Sequence, residues 1–575
     1  DNTVGETIAG STGNPWTNYY ANPALLIRVG GQLLQHIRIS HAYTGLVYHN
    51  YSAIVPNSVL AHCQFVRCNK SIVANGYGQS LVQYFKLRNV LIHDTAIAIS
   101  GYNFDGKIEH LTLHRCGVLA NNSMGSAALW LTNSLLVAVT NSGNAAISQS
   151  HCQWASSSNG VFQTVGAGGF YLAKEEWRNA GTPGIDPVLA KELRNTTTLP
   201  PIVLGGLVTS DVRLDPQAVR DIDLPDLGYH YVPIDYAVGT LVVTNNGSLT
   251  FGPGVAVAAL GNHGLRIENH GTIRAEGLPA APVRLFRYNV VQEQPVDWGN
   301  TTYEPCILTG PAHDTLGGEA PPVATLRFVE FSNMGGAGHH LYTDNGWFLF
   351  KKLSLQDCVI WGGKAQYSGN TGSIVGLTNN LFVRTSNRYY GWPQISAYNN
   401  LFWGGSNRLE RFSTAAAWVF RDNAFHDTGL VNLNAGVIND HNAYIGAGQC
   451  RISGSGGGDI VLDSFAYTNG VFGAFYHRSG NLLDAGSRNA ADAGLYHHTV
   501  RPDQIKEETS TVDIGFHYVA ADAGGAASDR DGDGLPDCFE DRNGNGQTDF
   551  GETNWMKSDT RTGGPGGLEV FTKLD

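Results

Sequence analysis

The sequence contains no apolar run of eighteen or more residues, which excludes a membrane-spanning helix of ordinary length. Charge is sparse, at 15% of residues, and Lys and Arg are not clustered; a chain without a basic patch is a poor partner for nucleic acid, whose phosphates need one. Cysteine is scarce as well. Eight cysteines in 575 residues, with no paired C-x-x-C, are too few for a disulfide-dense scaffold and wrongly spaced for a thiolate metal site. The opening residues Asp1-Asn2-Thr3 lack the basic and apolar regions of a signal peptide, so the numbering is expected to start at a processed N-terminus. Helical patterning is nearly missing too: only Ala173 to Asn195 has helical composition.

What is present is repetition. The chain carries 71 glycines and an abundance of short β-rich runs separated by turn residues. Five segments align: Leu34-Gln-His36-Ile-Arg-Ile39, Leu60-Ala-His62-Cys-Gln-Phe65, Leu87-Arg-Asn89-Val-Leu-Ile92, Ile108-Glu-His110-Leu-Thr-Leu113 and Leu131-Thr-Asn133-Ser-Leu-Leu136. Their central His or Asn recurs at steps of 26, 27, 21 and 23. The pattern returns at Asp357, Asn379, Asn399 and Asp422, at steps of 22, 20 and 23. A period in the low twenties built from strands and turns is the length of one coil of a parallel β-helix. Stacked at about 4.8 Å, such coils turn repeated apolar positions into interior columns, and they place each corner Asn, Asp or His beside its counterpart in the next coil. The expected fold is therefore all-β, a right-handed parallel β-helix (solenoid). Cys68 and Cys116 share a register two coils apart, about 9 to 10 Å, beyond disulfide reach, so both are expected as buried thiols.

The segment Thr240 to Phe286 reads as the opening of a second β-helical run. A duplication marks the ends of the two runs, Asp226-Leu-Gly-Tyr-His-Tyr-Val232 and Asp513-Ile-Gly-Phe-His-Tyr-Val519, offset by 287 residues. These features predict an N-terminal cap or arm over 1–30, a first lobe over 31–172, a linker or insertion over 173–238, a second lobe over 239–520 and a distinct tail over 521–575. That tail is acidic: of the net charge of -12, Ala521 to Asp575 carry -7.

The tail holds two tandem twelve-residue loops with oxygen side chains at positions 1, 3, 5, 9 and 12 and Gly at 6. In the first, Asp529, Asp531, Asp533, Asp537 and Glu540 supply side chains and Leu535 its backbone carbonyl. In the second, Asp541, Asn543, Asn545, Asp549 and Glu552 do so, with Gln547 as the carbonyl donor. Ca²⁺ takes six to eight oxygens in flexible geometry, and this spacing wraps a short loop around it. Two structural Ca²⁺ ions are expected, about one per loop. A third copy beginning at Asp559 is eroded, because Arg561 and Gly563 stand where ligands belong.

These loops resemble thrombospondin type 3 and dockerin-like calcium repeats, and the whole chain resembles secreted bacterial β-helix proteins that end in such loops. The resemblance implies an extracellular or cell-surface protein in which calcium stiffens rather than switches. It carries no catalytic assignment. The leading expectation is a non-enzymatic structural protein, part of a surface layer or a fibre subunit that self-associates through its solenoid ends. A polysaccharide lyase or glycosidase is the alternative, since parallel β-helices include both, although no carboxylate series of the polygalacturonase type is found. A glycan-binding adhesin is the third reading, using Arg388, Tyr389, Tyr390, Trp392, Trp403 and Arg408, where aromatic faces and guanidinium groups crowd into about one coil. The triplets His93-Asp94-Thr95 and His426-Asp427-Thr428 fall at a fixed place after the corner residues and read as a recurrent turn.

Overall fold

The aligned segments lie side by side as parallel strands in the computed structural model, which describes residues 19–49, 58–76, 81–261, 263–293, 306–310, 322–333, 338–342, 350–432, 436–453 and 456–558. Leu60 pairs with Leu87, Leu87 with Ile108 and Ile108 with Leu131, and all four are buried. Phe65, Ile92, Leu113 and Leu136 form a second buried column in the same strands. Each such side chain contributes about 1.5–3 kcal/mol by leaving water. The columns, rather than one compact core, therefore hold the coils.

By internal contacts the chain divides into two compact units. The first comprises residues 1–203, 217–237 and 288–297, the second residues 204–216, 238–287 and 298–575. In the first unit a six-stranded sheet, Leu25–Ile27 to Asn141–Gly143, accompanies a nine-stranded sheet whose long strands include Ser58–Val66, Gln83–His93 and Phe104–His114. In the second, an 18-stranded sheet and a nine-stranded sheet run from coil to coil, and its columns repeat those of the first: Leu355, Leu377, Ala397 and Phe420 stand in one register, Ile360, Phe382, Phe402 and Phe425 in another. The chain is a mostly β, parallel solenoid.

The corner residues show why Asn, Asp and His recur. His36, His62, Asn89, His110, Asn133, Asp357, Asn379, Asn399 and Asp422 all have φ between +51° and +59°. That region is costly for most side chains and is tolerated best by Asn and Asp. Five residues later the chain turns again: His41, Arg67, Asp94, Arg115, Ala138, Arg384 and Asp427 have φ between +47° and +54°. The two His-Asp-Thr triplets sit at this second corner. Asp94 accepts from His93 Nδ1 at 2.9 Å and from an Arg115 guanidinium N–H at 2.7 Å, so it serves the turn.

The expected corner ladder is realised only in pairs, as Asn89 with His62 at 2.9 Å, Asn133 with His110 at 3.0 Å and Asn379 with Asp357 at 2.7 Å. The unbroken ladder lies one residue later. Asn380, Asn400, Asn423 and Asn442 are fully buried, and each side-chain oxygen from Asn400 onward accepts both the backbone N–H and the side-chain amide of the preceding Asn, at 2.9–3.1 Å. A residue at φ near +54° turns its side chain outward, and the next residue points in. Beneath this ladder Phe382, Phe402, Phe425 and Tyr444 stack with centroids 4.8, 5.0 and 5.4 Å apart.

The outward corner residues are bound by a clasp that occurs once in each unit. In the first, Asn133 receives the Thr182 N–H at 2.8 Å and donates to the Thr182 carbonyl at 2.9 Å, while Asn89 receives the His230 N–H at 2.7 Å and donates back at 2.8 Å. In the second, Asp422 receives the Ser487 N–H at 2.6 Å, and Asn379 exchanges the same two bonds with His517 at 2.7 and 2.9 Å. Gly181 and Gly486 hold equivalent places: a Cβ there would lie 2.6 Å from the Pro225 carbonyl oxygen or 2.5 Å from that of Val512. Residues 173–203 and 217–237, read from sequence as part of a linker or insertion, thus line the wall of the first solenoid. Within them lies a short helix, Pro187–Leu193, capped by Asp186.

All eight cysteines are free. Cys68 and Cys116 are buried as expected, and burial pushes their thiols up to about 11 and about 12. Only Cys450 is exposed and Cys152 half-buried. Titration of the native protein with a thiol reagent is expected to modify Cys450 quickly, Cys152 slowly and the other six only on unfolding; rapid modification of more than two would contradict the packing.

Candidate metal centre

The two tail loops fold alike because position 1 organises each from its backbone. Asp529 Oδ1 accepts the Gly532 N–H and Oδ2 the Gly534 N–H, both at 2.8 Å; Asp541 accepts the Asn545 N–H at 3.1 Å and the Gly546 N–H at 2.6 Å. Gly534 and Gly546, at φ +98° and +78°, permit the sharp turn at position 6. Positions 3 and 5 continue the pattern. Asp531 accepts from Asp533 N–H and Asp533 from Leu535 N–H, as Asn543 does from Asn545 N–H and Asn545 from Gln547 N–H, at 2.7–3.1 Å.

In the first loop this arrangement brings Asp529, Asp531 and Asp533 carboxylate oxygens within 4.8 Å of one another. Loss of solvent, and then the neighbouring Asp533 and Asp529, hold the Asp531 carboxyl above its usual range. A cation among the three would relieve that repulsion. The donors are hard oxygens only, which fits Ca²⁺ rather than a thiophilic metal. Asp537 is turned elsewhere: its buried carboxylate accepts the Arg530 N–H at 2.7 Å and pairs with Lys506 Nζ at 2.7 Å. Glu540 is fully buried at the end of the helical turn Asp537–Glu540. In the second loop Asp549 accepts from the amides of Asn543 and Asn545 at 2.7 and 2.8 Å, and Glu552 accepts the Asn543 and Asp549 N–H groups at 3.2 and 3.0 Å. All five of its oxygen side chains therefore belong to one network. The eroded copy at Asp559 lies outside the described residues.

The loops are fastened to the second solenoid. Phe539 stacks on Phe328 with centroids 5.5 Å apart, and Arg327 donates to the Cys538 carbonyl at 3.1 Å while pairing with the corner Asp357 at 2.8 Å. His497 Nε2 lies 3.0 Å from Asp541, the first residue of the second loop, and Trp555 packs edge-on against His497 at 4.9 Å. Arg327, His497 and Lys506 were not recognisable as loop partners from sequence, because no spacing rule links them to residues that far along the chain.

The second candidate cluster separates into inside and outside. Tyr389 is fully buried and stacks on Tyr367 at 5.3 Å, so it is a core residue and not a ligand contact, contrary to the sequence reading. Arg388 and Arg408 face outward and share the Glu410 carboxylate, and Arg388 lies 4.3 Å over the Tyr390 ring. Trp392 and Tyr390 both pack edge-on against the exposed Phe412. Trp403 packs against Phe475 instead. Comparison with protein-family models finds no match to this chain, and no curated protein matches it.

Proposed function

We propose that this chain is an extracellular, non-enzymatic structural protein, a right-handed β-helix stiffened by Ca²⁺ in its tail loops that assembles with copies of itself through an open solenoid end. The observation that carries the reading is the last coil of the first unit. Its strands Asn141–Gly143, Ala146–Ser150 and Gln153–Ala155 each pair with the preceding coil on one side, and their residues are mostly exposed. Protein edges of this kind are normally guarded by Lys, Pro or a bulge. Here no Asp, Glu, Lys, Arg or Pro occurs anywhere from Cys116 to Ala173, and Trp130 and Trp154 stand exposed nearby.

Among the described residues these strands have no partner on their other side; such an uncharged three-sided edge is suited to accept the end coil of a second molecule, and a contact between unlike ends that does not close yields a filament. In light scattering with Ca²⁺ present, the mass is expected to rise with protein concentration. The double substitution Ser148→Lys and Gln153→Lys is expected to return monomers with an unchanged melting temperature. A wild-type protein that stays monomeric at every concentration would refute the proposal.

The outward row of Arg388, Tyr390, Trp392 and Phe412 favours a second reading, a glycan-binding face. Stacking on a sugar ring accounts for the grouping of rings and guanidinium on one wall.

A further inference from the structure

The duplicated Asp-x-Gly-x-His-Tyr motif does more than close each clasp. In both units its histidine donates from one ring nitrogen to a backbone carbonyl two residues earlier: His230 Nδ1 to Gly228 at 3.0 Å, and His517 Nδ1 to Gly515 at 2.9 Å. Both histidines are buried. With Nδ1 fixed as the donor, Nε2 is directed at Asp221 in the first unit and at Glu507 in the second, and each histidine forms a cluster with one further carboxylate, Asp226 or Asp513. Each set of three has ligand atoms within 4.8 Å of one another. His230 Nε2 lies 2.7 Å from Asp221, and His517 Nε2 lies 3.3 Å from Glu507.

In the first cluster a buried polar atom, Asp221 Oδ1, on a side chain only 3% exposed, has no hydrogen-bond partner; in the second, His517 Nε2, on a side chain 0% exposed, has only the Glu507 carboxylate beside it at 3.3 Å. The second carboxylate is held by its own unit's clasp: Asp226 Oδ1 accepts the Asn179 N–H at 2.8 Å, and Asp513 Oδ1 accepts the Asp484 N–H at 2.6 Å. Asp226 Oδ2 takes the Thr198 hydroxyl, and Asp221 Oδ2 the Asp226 N–H at 2.9 Å. Carboxylate oxygens with one such partner keep a further lone pair.

We propose that each cluster is a site for a divalent first-row transition-metal ion of the Zn²⁺ class, ligated by histidine Nε2 and two carboxylates. A histidine oriented through Nδ1 by a backbone carbonyl is the outer-shell arrangement that presents Nε2 to a metal. Neutral imidazole with two carboxylates balances a divalent charge, whereas two buried carboxylates left alone repel. The imidazole nitrogen separates these sites from the all-oxygen tail loops, since nitrogen donors select Zn²⁺-like ions over Ca²⁺. Each ion would brace the lateral segment itself, at the histidine whose backbone bonds the corner Asn89 or Asn379.

The test is a metal count on the full chain, saturated with Ca²⁺ to fill the tail loops and with accessible thiols alkylated. After equilibrium dialysis against Zn²⁺, two tightly held Zn²⁺ per chain are expected. His230→Gln and His517→Gln should each remove one and the double variant both, with circular dichroism confirming that the variants fold. Co²⁺ in place of Zn²⁺ should give visible d–d absorption that vanishes in the double variant. Zero Zn²⁺ on the wild-type chain would overturn the proposal without recourse to the variants, as would undiminished binding in the folded double variant. Because the readout is a count on single chains, its failure leaves the assembly proposal untouched.

Discussion

Chelation by EGTA is expected to open residues 529–558 to protease while leaving the solenoid protected. Trypsin should then cut at Arg530 and Arg542, bonds spared in millimolar Ca²⁺, and restored Ca²⁺ should restore protection. The reason is charge: Asp529, Asp531 and Asp533 converge within 4.8 Å, and the second loop closes around Asp541 in the same backbone pattern. At a free Ca²⁺ concentration a hundredfold above Kd, each ion stabilises the folded loop by about 2.7 kcal/mol. Asp529→Ala and Asp541→Ala each remove a carboxylate that also receives two backbone N–H groups, so either variant should stay protease-sensitive even with Ca²⁺. A cleavage pattern identical with and without EGTA would contradict the calcium reading. Because Phe539 and Arg327 fasten the first loop to the solenoid, a modest fall in the melting temperature of the second unit should accompany opening.

Asn400→Leu is expected to destabilise the second unit more than any surface change. Asn400 Oδ1 receives both the backbone N–H and the amide of Asn380, and its own amide donates to Leu377 O at 2.9 Å and Asn423 Oδ1 at 2.9 Å. Leucine fills similar space but strands those groups in a site with no solvent access. At about 1–3 kcal/mol for each buried group left unsatisfied, the loss is about 3–6 kcal/mol in total. Asn399→Ala, one residue earlier, removes a single bond to the Asp513 carbonyl and so should cost much less, about 1 kcal/mol, beyond the strain of Ala at φ +54°. Equal losses in chemical denaturation for the two variants would refute the inward ladder. The comparison is sharp because the residues are adjacent and chemically identical, and they differ only in the face to which backbone geometry turns them.

Much of the solenoid was legible from sequence because its periodicity is physical: each coil must offer an apolar side chain at the same three or four places or the column has a gap. Leu60, Leu87, Ile108 and Leu131 could be aligned by eye and stand in register in the structure. The recurrence of Asn, Asp and His was equally visible, but its cause was not. Sequence shows that such a residue recurs; only φ shows that it turns outward and leaves the inward ladder to its neighbour. Tyr389 was misplaced for a related reason, since alternation assigns faces to a strand only once its register against the corners is fixed.

The loop spacing, the coil period and the duplicated motif were determined by the sequence alone, because each depends on contacts within about one coil or one turn. Tertiary structure decided which groups meet across more than a hundred residues: Asn89 with His230, Asn379 with His517 and Arg327 with Cys538. Local propensity carries no information about such encounters. They follow from the path by which a segment leaving the last coil turns back along the wall, and hydrogen bonds from the outward corner residues fix that path.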